Sequence, residues 1–438
     1  MDLDAEYSWK PPVYHLSKPP TVSEEFLIEK FEPGDFPRSA KWCYDGSALL
    51  VHCEQRSFRI CASRRPQNEP QPHSITATNL PQAAPIVDYT WYPTASSLSP
   101  PTFCFAASVR ETPVKLLDAS DGRLRASYPI VDHRERQIAP HSLEFNALGT
   151  RLYCGFDSAI EIFDVSRPGA EGTRLHTSPS KKSKDGLKGI VSALAFHPSS
   201  ELFVAGSLSA VTGNIALFSE EDEGHTGPVM FLGGGPAAGV TQLHFTPLYP
   251  NTLYASFRRN PMVYAWDIRA NGAVPCDIYS KTASSNVVKE KRTTNQRRWF
   301  DIDIGGRYLG VGDERGAVSI FQLNNAVAPE VPPPATNQDL KFVSESSTTR
   351  ETEPTITFSA HSDAIGSVAF HPTRAALVSV GGSRHWNDSD DSDSLNSEEE
   401  EDQAYQEERL ARTARRLKFG KQPRAIEAAV KLWDFDIE

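Results

Sequence analysis

The chain has no long apolar run and few cysteines, and it contains none of the short motifs that mark common active sites. No stretch approaches the roughly 20 consecutive apolar residues of a membrane-spanning helix. The opening MDLDAEYSWK is acidic and polar, so no secretory leader is expected there. The six cysteines (Cys43, Cys53, Cys61, Cys104, Cys154, Cys276) include no C-x-x-C pair. That spacing argues against a zinc site or a disulfide framework and predicts buried free thiols in a reducing compartment. There is no H-E-x-x-H, no phosphate-binding loop with its lysine, and no G-x-S-x-G elbow, so no catalytic centre and no cofactor are expected.

Charge is unevenly spread. The formal net charge is −11, but residues 387–402 (NDSDDSDSLNSEEEED) carry nine carboxylates and no cation. The remainder is therefore close to neutral, and the overall acidity says little about any one binding face.

What the chain has in abundance is a repeat. Residues 141–165, HSLEFNALGTRLYCGFDSAIEIFDV, contain three short strand patterns: Ser142–Phe145, Arg151–Gly155 and Ala159–Val165. Turn residues at Asn146–Gly149 and Phe156–Ser158 separate them. Such a meander cannot bury its apolar face alone. Six further copies supply neighbours: Ser39–Cys61, Val87–Asp118, Val191–Phe218, Val240–Asp267, Trp299–Phe321, and Gly366 through Val430–Asp434. Each copy has an apolar anchor, in order Trp42, Trp91, Phe145, Phe196, Phe245, Ile302 and Phe370. Their recurrence near every ~40–50 residues matches a four-stranded propeller blade with loop insertions. Trp266-Asp267 and Trp433-Asp434 stand where WD dipeptides belong, and Ala360-His361 where such repeats place Gly-His.

The expected fold is all-β, a seven-bladed WD-repeat propeller over residues 36–438, following a lead-in at 1–35. The last blade has no room for an outer strand after Asp434, so an N-terminal strand must complete it, with Val13–Lys18 or Phe26–Phe31 as candidates. His197 and His371, each in an F-H-P turn, read as structural. Gly233-Gly234-Gly235-Pro236 reads as a blade-to-blade turn.

Several stretches read as insertions. Arg64–Pro85 and Arg174–Lys188 read as loops, Thr94–Pro101 as an insertion within blade two, and 324–354 as a low-complexity linker. Residues 385–425 interrupt blade seven. Their acidic half, expected to be largely disordered, sets Ser389, Ser392, Ser394 and Ser397 among carboxylates, a composition that suits phosphorylation. Their basic half, Gln403–Lys421, has helix-forming residues. Lys281–Trp299 carries Lys289, Lys291, Arg292, Arg297 and Arg298 directly before Trp299. Cations beside an aromatic suit single-stranded nucleic acid. A solvated loop leading to a buried Trp299 fits the same residues.

Some stretches are more specific than a generic repeat: Val109–Phe156, Val165–Gly169 (VSRPG), Phe231–Phe245 (FLGGGPAAGVTQLHF), Trp266–Arg269 (WDIR) and Thr293–Asp303 (TTNQRRWFDID). Together they resemble the telomerase Cajal body protein family across blades one to six, roughly residues 36–322. The resemblance implies a nuclear, non-catalytic scaffold, with some protein in the cytoplasm. It would recognise the terminal loop of box H/ACA small Cajal body RNAs, or telomerase RNA, and assist ribonucleoprotein assembly or delivery to nuclear bodies. It implies as partners those small nuclear RNAs, their ribonucleoprotein proteins and possibly telomerase. Relatives in simple eukaryotes point instead to spliceosomal particles, and a protein-only adaptor is the other alternative. The chain departs from the animal pattern in lacking a long N-terminal extension and in its acidic–basic insertion.

Loop RNA is read by stacking and by hydrogen bonds to unpaired bases. The candidates at the blade rims are Arg110, Arg134, Arg136, Arg167, Arg258, Arg259, Arg297 and Arg298, with Trp299. Arg110 and the Arg258-Arg259 pair fall at similar turns, so they are expected to share one face. Each arginine alone would equally suit a solvent-exposed or inter-blade salt bridge.

Overall fold

Within each copy of the repeat, apolar residues alternate along short strands separated by tight turns, and the copies fold into seven separate antiparallel sheets around one axis. The computed structural model describes residues 10–26, 34–62, 76–180, 183, 185–220, 227–270, 272–281, 295–323, 349–385 and 424–435. Strands are the only regular elements among them. Strand positions within a blade are called a to d from the axis outward. The a strands are Pro37–Trp42, Ile86–Trp91, Ser142–Phe145, Val191–Phe196, Val240–Phe245, Asp301–Ile302 and Ile365–Phe370. All seven sequence anchors are the last residue of an a strand.

The core lies between blades. Leu50, Phe58 and Ile60 of blade one pack with Tyr89, Trp91 and Phe105 of blade two. Ala193 and Leu217 of blade four meet Leu243, Leu253 and Trp266 of blade five. Both faces of a blade are thus covered, which is why Ala48–Cys53 and Cys104–Val109 are buried along their whole length.

Closest to the axis, apolar packing gives way to a ring of side-chain hydrogen bonds that ties each a strand to the next blade. Lys41 Nζ donates to Tyr89 O at 2.7 Å, and Asp88 Oδ2 accepts Leu143 N at 2.8 Å. Ser142 Oγ donates to Val191 O at 3.0 Å, and Ser192 Oγ to Val240 O at 2.7 Å. The Gln242 amide both donates to Phe300 O (2.8 Å) and accepts Phe300 N (2.9 Å). Asp301 Oδ2 accepts Phe370 N at 2.7 Å, and Ser367 Oγ accepts Ala40 N at 2.9 Å, closing the circle. The inner edge strands would otherwise present unpaired backbone to the channel.

Blade seven is completed by the N-terminal segment Thr21–Phe26, antiparallel to Ala429–Asp434 with Thr21 opposite Asp434. The closing strand was expected, but it lies between the two proposed segments and overlaps them only at Phe26. Tyr14, in the first of those segments, is instead a buried wedge, edge-on to Tyr308, Phe370 and Phe435 at 5.4–5.5 Å. His361 Nε2 and Trp433 Nε1 converge on Ser379 Oγ at 2.7 and 2.8 Å, so the Ala-His and Trp-Asp signatures join strands within the blade.

Three stretches read as loops or linker contain strands. Thr76–Pro81 is strand d of blade one, and Thr173–His176 is strand d of blade three. Arg350–Thr352 adds in parallel to Asp277–Tyr279 as a fifth strand of blade five. Five cysteines are buried as expected, and Cys276 is exposed. The glycine run at 233–235 does link blades four and five.

Candidate functional site

Antiparallel order puts the a–b and c–d turns at one end of the propeller and the b–c turns and d-to-a links at the other. Arg110 and Arg258 each follow the last residue of a b strand, and each donates its backbone N–H to the residue just before a neighbouring stretch of strand a, Pro85 O (3.0 Å) and Gly239 O (2.7 Å). They therefore occupy the same step of blades two and five. Blades one, three and six have carboxylates at this step (Glu54, Asp157, Asp313). Arg259 sits at φ 58°, the left-handed conformation that closes its turn, and its Nε donates to Asn295 Oδ1.

These side chains surround a cavity of about 470 Å³ at the b–c mouth of the channel, with Arg38, Arg110, Arg258, Arg259 and Arg298 in its wall. Arg38 pairs with Glu54 at 3.4 Å and Arg298 with Glu314 at 4.0 Å. Arg110 and Arg258 are exposed, and among the described residues neither has a carboxylate partner. The expected sharing of one face by Arg110 and Arg258-Arg259 is what the structure contains.

Arg297 and Trp299 form the floor of this cavity. The guanidinium lies 3.9 Å from the indole centroid, and its Nη2 donates to Ser192 O (3.1 Å) and to Thr241 O. Burial pushes its pKa down to about 10. Trp299 N donates to Gly366 O at 2.9 Å, and Lys41 Nζ approaches the same ring at 5.0 Å. Both residues are built into the channel, as the second reading of this stretch expected for Trp299, and both line the central space.

The remaining candidates lie elsewhere. Arg134 and Arg136 occupy the link from blade two to blade three. That link is at the b–c end, but both are outside the wall of the cavity, and Arg136 is paired with Asp132 at 3.0 Å. Arg167 is in the c–d turn of blade three, at the opposite end from Arg258. Lys289, Lys291, Arg292, Ser389, Ser392, Ser394, Ser397 and the basic stretch 403–421 lie outside the described residues.

Sequence reasoning missed Arg38 and His141. Both stand four residues before the anchor of their blade, as Arg298 does, and this step lines the mouth in blade after blade. The anchors were legible, so counting back four was the available signal. His141 has its pKa lowered by burial and by the charges of Arg110 and Arg297, so it is a neutral hydrogen-bonding group beside the cations.

A family model described as "WD domain, G-beta repeat" matches residues 352–387, which include His361 and Ser379 of the blade-seven bonds. Telomerase Cajal body protein 1 of Mus musculus is 30% identical over 356 residues, 80% of this chain and 59% of that one. The chain is a WD-repeat relative of telomerase Cajal body protein 1. The Homo sapiens protein of that name is 29% identical over 358 residues, 81% of this chain and 58% of that one. The Schizosaccharomyces pombe guanine nucleotide-binding protein negative regulator 1 is 26% identical over 297 residues, 65% of this chain and 70% of that one. The chain thus spans about three-fifths of the length of the Cajal body relatives it matches.

Proposed function

We propose that this propeller is a non-catalytic RNA-binding scaffold of small nuclear ribonucleoproteins. Its ligand is the unpaired terminal loop of a box H/ACA-type small Cajal body RNA, including that of telomerase RNA, and its place is the nucleus and nuclear bodies. The observation that carries the reading is the pair of exposed arginines without carboxylate partners, Arg110 and Arg258, beside Arg259 at one mouth of the channel. Guanidinium groups bind phosphate and base edges in their planar fork geometry, and an unpaired loop offers both at once. Arg38, Arg298 and neutral His141 supply further donors around the same opening. In this reading Arg297 and Trp299 hold the floor, while Arg134 and Arg136 add charge at the same end. Arg167 would serve only RNA that reaches around the rim. The names of the similar proteins favour a Cajal body or telomerase setting.

Crosslinking the tagged full chain to RNA in cells, followed by sequencing, tests this. Enrichment of H/ACA-type RNAs focused on one terminal loop is expected. Spliceosomal RNAs in their place would move the function to splicing, and no RNA above background would overturn it in favour of a protein adaptor.

A further inference from the structure

The end opposite the arginine mouth has features that neither the repeat nor RNA binding uses. Four a–b turns carry a large apolar side chain at the tip: Tyr44 (70% exposed), Leu98 (85%), Leu148 (80%) and Leu248 (53%). Turn tips favour small polar residues, and a solvated leucine there has no packing rationale. Tyr44, Leu98 and Leu148 belong to consecutive blades whose turns touch. Ser96 Oγ donates to Asp45 Oδ2 at 2.6 Å and Ser97 N to Ser47 Oγ at 3.0 Å. The Tyr92 ring fills the space a Cβ on Gly149 would need, 2.8 Å away. Single exposed apolar residues are ordinary, whereas a joined set marks an interaction surface.

Beside this rim the channel widens into a cavity of about 400 Å³ with Trp42, Tyr44, Trp91 and Phe370 in its wall. The penultimate residue of the a strand lines it in blade after blade, among them Lys41, Glu144, His244 and Asp301. Lys41 is committed to Tyr89 O. Burial pushes Glu144 and Asp301 up to about 7 and His244 down to about 4, so the imidazole is neutral here. Among the described residues neither Glu144 nor Asp301 forms an ion pair, and they come from blades three and six, on different sides of the axis. An anionic, aromatic-walled space repels phosphate and favours a planar cation, which stacks on rings and offers a carboxylate two parallel N–H donors.

We propose that this end of the propeller docks a segment of another protein, which inserts one arginine side chain between Glu144 and Asp301 and rests apolar residues on Tyr44, Leu98 and Leu148. The site is separate from the arginine mouth, so protein and RNA occupy opposite ends of one scaffold.

Selection of a random peptide library on the full chain tests this. Enriched peptides should carry one arginine flanked by apolar residues, and a synthetic copy should bind the full chain. Replacing that arginine by citrulline should weaken binding at least about tenfold, as should Glu144→Gln. The exposed double variant Tyr44→Ser, Leu98→Ser, which leaves the core untouched, should weaken binding while RNA affinity is unchanged. Failure to enrich any peptide would overturn the proposal. So would equal binding of the citrulline copy, full binding by both variants, or displacement of the peptide by RNA.

Discussion

The guanidinium of Arg297 stacks on Trp299 at 3.9 Å while its Nη2 group holds the carbonyls of Ser192 and Thr241, on the a strands of blades four and five. One side chain from the link into blade six thus reaches across the channel and ties three blades. Breaking a buried, hydrogen-bonded cation site costs about 2–4 kcal/mol, because two carbonyls lose their donor and the ring loses its cover. Arg297→Ala should lower the urea midpoint by that much. Arg297→Lys should not restore it, since an ammonium lacks the planar face that stacks and the fork that spans both carbonyls. Wild-type stability in the lysine variant would show that charge alone is required.

At the mouth above, the opposite outcome is expected. Arg258 and Arg259 are exposed on a turn, so the double variant Arg258→Ala, Arg259→Ala should melt within about 1 °C of wild type. Its affinity for an H/ACA terminal-loop RNA should fall about tenfold or more, with the salt dependence shallower by about two phosphate contacts. Arg110→Ala should act in the same direction, and Arg167→Ala, at the other end, should leave affinity unchanged. Unaltered RNA binding by the double variant, measured by fluorescence anisotropy, would remove the mouth from the function.

The propeller was legible because its evidence repeats. Seven anchors stood at one structural step, and the WD and Ala-His signatures sit in bonds that any such blade needs. The outer strands escaped because Thr76–Pro81 and Thr173–His176 are short and largely exposed, so no apolar alternation marks them. Closure was inferable from the truncated last blade, but its register was not, since Thr21–Phe26 pairs mainly through backbone. The grouping of Arg110 with Arg258 followed from their matching turns. The inward turn of Arg297 did not, because sequence spacing carries no information about which side of a link faces the channel.

Blade seven predicts an acid-sensitive joint. Burial raises the Glu427 pKa, but hydrogen bonds from His361, Lys431 and Ser362 outweigh it and hold the carboxyl well below the ordinary range. A depressed folded-state pKa means that the stabilisation is complete above the unfolded value, about 4.3, and is lost as pH falls below it. Melting temperature should therefore drop from pH 5 toward pH 3 more steeply in the wild type than in Glu427→Gln, which has no proton to take up. Parallel curves for the two proteins would exclude Glu427 as the group responsible.

The hydrogen-bond ring around the axis gives the sharpest test of how the blades are held. Gln242 acts as one rung of a sheet, donating to Phe300 O and accepting from Phe300 N, where the two-residue strand Asp301–Ile302 is too short to hold blade six alone. Gln242→Leu keeps the volume but leaves two buried backbone groups unpaired, at about 1–3 kcal/mol each. Ser367→Ala removes one acceptor from Ala40 N and should cost about half as much. If the ring joins the blades cooperatively, hydrogen exchange should rise in Gln242→Leu at Phe300 N and at the amides of Asp301–Ile302, with blades two and three still protected. A uniform increase across all seven blades would mean that the propeller opens as one unit and that the inter-blade apolar core, not the ring, sets its cooperativity.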